Sequence, residues 1–245
     1  MAHPLVDLLW REHPGAPAGG TRGPRPKVST SQAVDEAIRL ADADGLAAVT
    51  LRRLGARLGV APNAVYTHVG SRDDLLVLMA DTARTRHPRP PYATDGWRGR
   101  VRQVADAELA LYDAHPWLVD VTDQRTAFGP GTIAAYDQQL HALDGTGLSD
   151  VDRDAALTFV TDFVRAAARA RHPDPQAVDM AASWAAWGGR LAGYVGERYP
   201  LARRVGAAAG AAMDAPYDAE HAWRFGLDRV LDALAALVER STGLP

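Results

Sequence analysis

Hydrophobic residues recur every three or four positions along most of this chain, and the pattern is clearest in its first third. Ser29 and Gln32 stand at capping-box spacing ahead of a first amphipathic stretch, which Gly45 closes. A second stretch begins after Thr50 and ends at Gly59, with leucines on one face. The pattern therefore predicts two consecutive helices, the second of about two turns.

A third helix is predicted after a tight glycine turn. Pro62 suits the first helical position, Val65 and Val69 form an apolar stripe, and Gly70 ends the segment. Ser71 then caps a fourth helix, which begins with acidic residues and continues with leucines. Two short helices joined by a glycine turn indicate a helix-turn-helix, a unit that offers one helix to DNA.

Residues 29–79 resemble the DNA-binding domain of the TetR family of bacterial transcriptional repressors. The resemblance rests on the run ADADGLAAVTLRRLGARLGVAPNAVYTHVGSRDDLLVLM. The positions that carry the family spacing are Gly45, Thr50, Leu54, Leu58, Gly59, Val60, Tyr66, His68, Leu75 and Leu76. A weaker resemblance to the regulatory domain of the tetracycline-repressor branch continues through HPWLVDV, GLSDVDRDAAL and FGLDRVLDALAALVER.

The resemblance implies an all-α protein in which a three-helix DNA-binding domain precedes a larger helical domain for ligand binding and dimerisation. We expect a flexible basic arm over residues 1–27, the helix-turn-helix domain over 28–75 and the regulatory domain over 76–245. Within the arm, the basic segment TRGPRPK either follows a phosphate backbone or minor groove or is a solvated tail.

The candidate DNA contacts lie on the second and third helices. Pro62, Asn63 and Ala64 begin the predicted recognition helix, whose amino-terminal end reaches base edges, and Asn63 can pair with adenine. Arg52 matches a position that reads guanine in several relatives. The resemblance assigns phosphate contacts to Thr50, Tyr66, Thr67, His68 and Arg72. For Tyr66 and His68, the alternative is a half-buried core position.

Further helices are predicted over residues 96–114, 132–143, 149–171, 176–194 and 219–240, with Pro and Gly between them. The helices over 149–171 and 219–240 are the candidates for a homodimer bundle, although periodicity also fits ordinary core helices. The segment 199–217 is either a crossover loop or a frayed helix.

The ligand site is less clear from the sequence. His87 and His115 fall where tetracycline repressors place drug-binding and magnesium-binding histidines, but the metal-binding glutamate has no counterpart near residues 166–171. We therefore expect neither a metal nor a cofactor, and not tetracycline-magnesium as the inducer. Five aromatic residues are candidates either for lining a large apolar cavity or for packing in the core: Phe128, Phe159, Phe163, Trp184 and Trp187.

Composition narrows the class of protein. The 245 residues are 47% hydrophobic and contain no cysteine, which fits a large core and excludes disulfides. No run approaches the length of a membrane span, so we expect a cytoplasmic protein without a membrane partner. The net charge of −3 is uneven, because residues 1–72 hold nine Lys/Arg against six Asp/Glu and the rest hold eighteen against twenty-four.

The predicted function is a ligand-responsive repressor that binds a palindromic operator as a homodimer and is released by a small, largely apolar molecule. The sequence lacks a phosphate loop, a G-x-S-x-G elbow and an H-E-x-x-H motif, so no enzyme is expected. The alternatives are an all-helical enzyme that binds a small molecule and a protein that binds DNA without sequence preference.

Overall fold

The computed structural model describes residues 4–16, 28–93, 96–172, 180–213 and 217–242, and within them every regular element is helical. The α-helices are α1 (Leu5–Leu9), α2 (Thr30–Asp44), α3 (Leu51–Leu58), α4 (Pro62–Val69), α5 (Arg72–Arg86), α6 (Trp97–Ala114), α7 (Pro130–Leu140), α8 (Asp150–Arg171), α9 (Met180–Val195), α10 (Pro200–Met213) and α11 (Ala219–Thr242). Short 3₁₀ segments lie at Leu46–Ala48, Pro116–Asp120, Gln124–Phe128 and His141–Leu143. The predicted all-α class is confirmed.

The helix starts in the first domain follow the predicted caps. The Ser29 hydroxyl accepts from the Gln32 N–H at 3.1 Å, and the Gln32 side chain accepts from the Ser29 N–H at 2.8 Å. Thr50 caps α3, and Gly59 ends it with a φ of +66°. Helices α2 to α5 share one core, in which the most deeply buried side chains include Val34, Leu54, Val65 and Leu75.

The angle between α3 and α4 depends on Gly55. A Cβ atom built there would lie 2.7 Å from the carbonyl oxygen of Val60 and 3.2 Å from the Pro62 nitrogen. The Gly55 carbonyl also accepts the Val60 N–H at 2.9 Å. The two helices of the helix-turn-helix therefore approach each other through backbone atoms.

Helix α5 belongs to both halves of the molecule. It packs against α2 and α4 on one side and against α7 on the other. The expected domain boundary between residues 75 and 76 falls inside this continuous helix. The helices of the first half are consequently joined to the second half by one continuous helix.

The second half is built around α6, α8 and α11, which pack against one another. Leu157, Val160 and Val164 on α8 and Leu227 and Leu231 on α11 are buried there. Most of the segment 199–217 is the helix α10, which contacts α9, and most described side chains of these two helices are exposed. None of the helices in the described ranges has the length and apolar character needed to cross a membrane.

Part of the segment expected to be a flexible basic arm forms a helix. Residues 4–16 include the helix α1, whose Leu8 and Leu9 are buried in the main core. The physical reason is a short apolar stripe that gains contact with α5. The basic segment TRGPRPK lies outside the described residues.

Candidate nucleic-acid interface and cavities

Helix α4 has one buried and one exposed face. Val65 and Val69 are fully buried, whereas Pro62, Asn63 and Thr67 are exposed. Tyr66 is 42% exposed, so its ring is available at the surface and does not fill the core. The exposed face carries amide, hydroxyl and phenol groups, which are chemically able to contact nucleotide bases and phosphates.

Hydrogen bonds fix the remaining α4 positions. The Thr67 hydroxyl donates to the Ala64 carbonyl at 2.7 Å, within the same helix. The Thr30 hydroxyl donates to the His68 carbonyl at 2.8 Å, and this bond ties the end of α4 to the start of α2. His68 and Ala64 are half-buried, which leaves only part of each side chain at the surface.

The arginines of α3 have different environments. Arg53 pairs with Asp44 at 2.5 Å and Arg57 pairs with Glu36 at 3.3 Å. Arg52 is exposed and has no ion pair with any carboxylate in the described ranges. Arg72, the first residue of α5, is exposed as well. Both guanidinium groups are thus available to an external anion or base edge.

The described candidate contacts concentrate at helix starts. Thr50 and Arg52 lie at the start of α3, Asn63 at the start of α4 and Arg72 at the start of α5. The first N–H groups of a helix lack internal partners and carry partial positive charge, so they attract phosphates. Because α4 packs against α3 and α5, these starts belong to one packed unit.

A cavity of about 670 Å³ lies in the second half, between α6, α7, α8 and the segment Gln124–Phe128. Its volume is in the range of small-molecule sites. Apolar groups in its wall include Val121, Phe128 and Leu157. Hydroxyl, amide and guanidinium groups contribute as well, through Tyr112, Thr126, Thr132, Tyr136, Gln139 and Arg165.

A buried ion pair stands in the same wall. Arg84 on α5 donates to both carboxylate oxygens of Glu108 on α6 at 3.0 Å, and Gln139 on α7 donates to Glu108 at 2.7 Å. Burial opposes the charged form of Arg84, but Glu108 and the Tyr112 hydroxyl outweigh it and raise the pKa of Arg84. Sequence reasoning missed this group. The available signal was the carboxylate of Glu108 among the apolar positions of α6.

The two candidate histidines have separate surroundings. His87 lines a narrower cavity of about 30 Å³ beside Arg84 and Glu108, and burial lowers its pKa, which favours the neutral imidazole. His115 instead lies at the junction with α2, where its Nδ1 is 2.7 Å from Asp42 Oδ1. The Trp117 indole N–H donates to the same oxygen at 2.7 Å.

Of the five candidate aromatic residues, the structure brings Phe128 to the wall of the 670 Å³ cavity, although its side chain is 60% exposed. Phe163 stacks on Trp223 with ring centroids 5.5 Å apart. Phe159, Trp184 and Trp187 are exposed, and neither these three nor Phe163 line the two cavities. For Phe159 the reason is helical geometry, because the residues of α8 at the cavity lie on another face.

In the described part of the chain, no group of three His, Asp or Glu side chains is placed so that it could bind a metal ion. The candidate sites are therefore an exposed helical surface in the first half and a mixed polar and apolar cavity in the second. Together with the fold, they define a helix-turn-helix regulator with a helical second domain.

Comparisons with known proteins specify that class. The protein-family model described as "Bacterial regulatory proteins, tetR family" matches residues 33–79. A second family model, "Tetracyclin repressor-like, C-terminal domain", matches residues 89–238. The HTH-type transcriptional repressor DrrR1 of Streptomyces coeruleorubidus is 32% identical over 97% of this chain and 87% of its own. The chain belongs to the tetR family of bacterial regulatory proteins, so it is a transcriptional regulator and not an enzyme.

Solved structures share the fold. Free ActR from Streptomyces coelicolor matches 86% of this chain and 98% of its own with a TM-score of 0.69 and 23% identity. BioQ, a protein of Mycobacterium smegmatis, has been solved with its natural double-stranded DNA operator and matches 85% of this chain and 99% of its own, with a TM-score of 0.59 and 21% identity.

Proposed function

We propose that this protein is a repressor that binds a palindromic operator as a homodimer and leaves it when a small molecule occupies the 670 Å³ cavity. The observation that carries the proposal is the two-faced helix α4, with Val65 and Val69 in the core and Asn63 and Tyr66 at the surface. A BioQ structure contains a DNA operator, and an ActR structure contains actinorhodin. These relatives support a function that combines DNA and ligand binding.

We assign base contacts to Arg52 and Asn63, since a guanidinium suits guanine and a carboxamide suits adenine. Pro62 and Ala64 lie beside Asn63 and approach the same groove. The phosphate contacts are assigned to Thr50, Tyr66, Thr67, His68 and Arg72. The exposure of Arg52, Tyr66 and Arg72 supports these roles.

Dimerisation would use exposed apolar side chains on α8 and α11. Val151 and Phe159 on α8 are 79% and 48% exposed, and Phe225 on α11 is 58% exposed. The neighbouring Gly226 serves packing within the chain, because a Cβ there would lie 2.5 Å from the Phe163 ring. A single recognition helix contacts only a few base pairs, so two copies of the protein bound to a palindrome give the required sequence specificity.

The effector would be a small molecule with a largely apolar skeleton and polar substituents. Phe128 and Leu157 offer apolar contact, and Tyr112, Gln139 and Arg165 offer hydrogen bonds. His87 would act from the adjoining cavity. Ligand contacts by His115, Phe159, Phe163, Trp184 and Trp187 stay a prediction. Release of DNA requires that the ligand bind more tightly to the conformation that fits the operator poorly.

The division into a DNA-binding domain over residues 28–75 and a regulatory domain over 76–245 is part of the proposal, as is a cytoplasmic location beside chromosomal DNA. Helix α5 supports coupling between the domains, since it begins after α4 and carries Arg84 into the cavity wall.

A footprint and a salt-dependent titration on the DNA that flanks the protein's own coding region test the proposal. A protected palindrome bound by two copies is the expected result. Equal binding to all sequences that disappears steeply with salt would refute the operator-specific function.

A further inference from the structure

The described segment of residues 4–16, which we call the N-terminal strap, folds against the core ahead of the DNA-binding helices. Its helix α1 packs against α5, with Leu8 and Leu9 only 7% and 4% exposed. Leu5 and Trp10 add partly buried apolar surface to the same core. Apolar contact therefore gives the strap a defined position on the molecule.

The strap holds the first turn of α2. The Arg11 Nε–H donates to the Ser31 hydroxyl at 3.1 Å, and Arg11 Nη1 donates to the Leu8 carbonyl at 2.8 Å. One guanidinium thus joins the end of α1 to the start of α2. Because α2 packs against α3 and α4, the strap is connected to the helix-turn-helix.

The strap also holds the wall of the large cavity. The Trp10 indole N–H donates to the Phe128 carbonyl at 2.8 Å. Phe128 ends the segment Gln124–Phe128, which contributes to the 670 Å³ cavity through Gln124, Thr126, Ala127 and Phe128. The carbonyl group that accepts the Trp10 hydrogen bond therefore belongs to the same short 3₁₀ segment that lines the cavity.

A third cavity, of about 430 Å³, lies between the strap and parts of α5 and α7. Its lining includes Trp10 and Arg11 on the strap, Asp81 and Thr85 on α5, and Ala134 on α7. Close-packed interfaces resist small displacements, whereas a gap of this size does not. Among the described residues, the hydrogen bond from Trp10 is the polar contact that joins the strap to the wall of the 670 Å³ cavity.

A further ion pair connects the same wall to the DNA-binding helices. Arg125, inside the segment Gln124–Phe128, donates to Asp74 at 2.6 Å in the first turn of α5. A displacement of this segment would therefore reach the helix-turn-helix by two routes. One route is the Arg125–Asp74 ion pair on α5, and the other leads through Trp10 and Arg11 to α2.

We propose that the N-terminal strap is a coupling element: the Trp10–Phe128 hydrogen bond ties the cavity wall to α2, so a ligand that displaces Phe128 also loosens the DNA-binding helices. The inference rests on the proposed function in taking the 670 Å³ cavity as the effector site. Trp10 is a positioning residue, because its effect is transmitted through Arg11 and α2.

Hydrogen exchange of the free, full-length protein tests the tie. Trp10→Phe keeps an aromatic ring and removes the indole N–H. We expect amides at 124–132 to exchange about fivefold faster, the effect of losing one net hydrogen bond. Trp187→Phe, which changes an exposed indole on α9, should leave these amides unchanged. Unchanged exchange at 124–132 in Trp10→Phe would overturn the proposal.

The coupling itself is tested on the operator identified by the footprint. Operator binding should slow exchange at 124–132 in the wild type, and this protection should be reduced in Trp10→Phe. Arg11→Gln, which weakens the contact with Ser31, should reduce it too. Equal protection in all three proteins would overturn the coupling. Absence of any operator would refute the proposed function, while exchange in the free protein would still decide whether the strap fixes the wall.

Discussion

Adjacent arginines in α3 illustrate how local partners separate candidate roles. Arg53 is held by Asp44 at 2.5 Å, whereas Arg52 is exposed without an ion pair to a described carboxylate. We expect Arg52→Ala to lower operator affinity by about 5- to 150-fold, since a bidentate base contact contributes about 1–3 kcal/mol of discrimination. It should also relax the preference at one operator position.

Titration against the operator and its single-base variants measures this effect, and Arg53→Ala is the matched control. An equal loss on every operator variant would contradict base reading by Arg52 and would indicate a phosphate contact instead.

Tyr66 should behave differently, because its hydroxyl is assigned to a phosphate. Tyr66→Phe keeps the ring and removes the hydroxyl, so affinity should fall about fivefold for all sequences alike. The same panel of operators provides the measurement. A loss confined to one base substitution would show that Tyr66 reads a base.

Asp81 is a buried carboxyl at the contact between α5 and α7, where it accepts the Thr132 N–H at 2.9 Å. Burial raises the pKa of Asp81, although hydrogen bonds from Thr132 and Gly131 oppose the rise. The folded protein therefore holds this proton more tightly than the unfolded chain. Its contribution to the free energy of unfolding decreases as pH rises from about 4, the pKa of an exposed Asp, through the raised folded pKa.

Asp81→Asn removes this titration and keeps an acceptor for the Thr132 N–H. We expect the stability of the variant relative to the wild type to increase with pH across that window. Urea unfolding at several pH values and fixed protein concentration measures the difference, with Asp137→Asn on the exposed face of α7 as control. A difference that is constant with pH would contradict the shifted pKa of Asp81.

At the scale of elements, the helix-turn-helix depends on backbone contact at Gly55. Gly55→Ala would place a methyl group 2.7 Å from the Val60 carbonyl oxygen, so α4 must move away from α3. We expect a loss of about 1–3 kcal/mol in stability, typical of overpacking, together with weaker operator binding. Thermal unfolding and DNA titration measure the two effects.

Gly189→Ala on α9 is the matched control, since a Cβ there has no atom within 4 Å and alanine favours helix. This variant should be as stable as the wild type or more so. Equal stability of Gly55→Ala and the wild type would show that the turn has room for the methyl group.

At the scale of the whole molecule, dimerisation determines whether two recognition helices can meet one palindrome. Phe225 on α11 is 58% exposed and lies 5.3 Å beneath the Arg229 guanidinium. Phe225→Glu would place a charge in the proposed interface. We expect a largely monomeric protein with unchanged helix content and at least tenfold weaker operator binding, since a carboxylate, even one paired with Arg229, loses its hydration when the interface buries it, at a cost of several kcal/mol.

Sedimentation equilibrium and circular dichroism together measure this result. Ile133→Glu on α7 is the control, because Ile133 is also exposed, at 44%, but lies outside the proposed bundle. A dimer of unchanged stability in Phe225→Glu would exclude this face of α11 from the interface.

The sequence predicted the elements whose causes are local. The capping box of Ser29 and Gln32, the Thr50 cap and the left-handed Gly59 all lie within a few residues of the helices that they begin or end. The exposed side of α4 was also predictable, because two buried valines fix which side chains remain outside. Comparison with the tetR family confirmed the class that these elements predicted.

The sequence did not predict contacts between distant residues. The Arg84–Glu108–Gln139 group joins three helices, and the bond from Trp10 to Phe128 spans 118 positions. Within the segment expected to be a flexible arm, the sequence also did not predict the burial of Leu8 and Leu9, which depends on a surface provided by α5.

By itself, the sequence determined the helical class, the helix-turn-helix and the exposed face of α4, since caps, glycines and the 3.6-residue period act over a few residues. Tertiary structure alone decided which polar groups line the cavity and how the strap and α5 connect it to the DNA-binding helices. The physical reason is that hydrogen bonds and burial between separate elements depend on their packing in space, which short-range patterns do not encode.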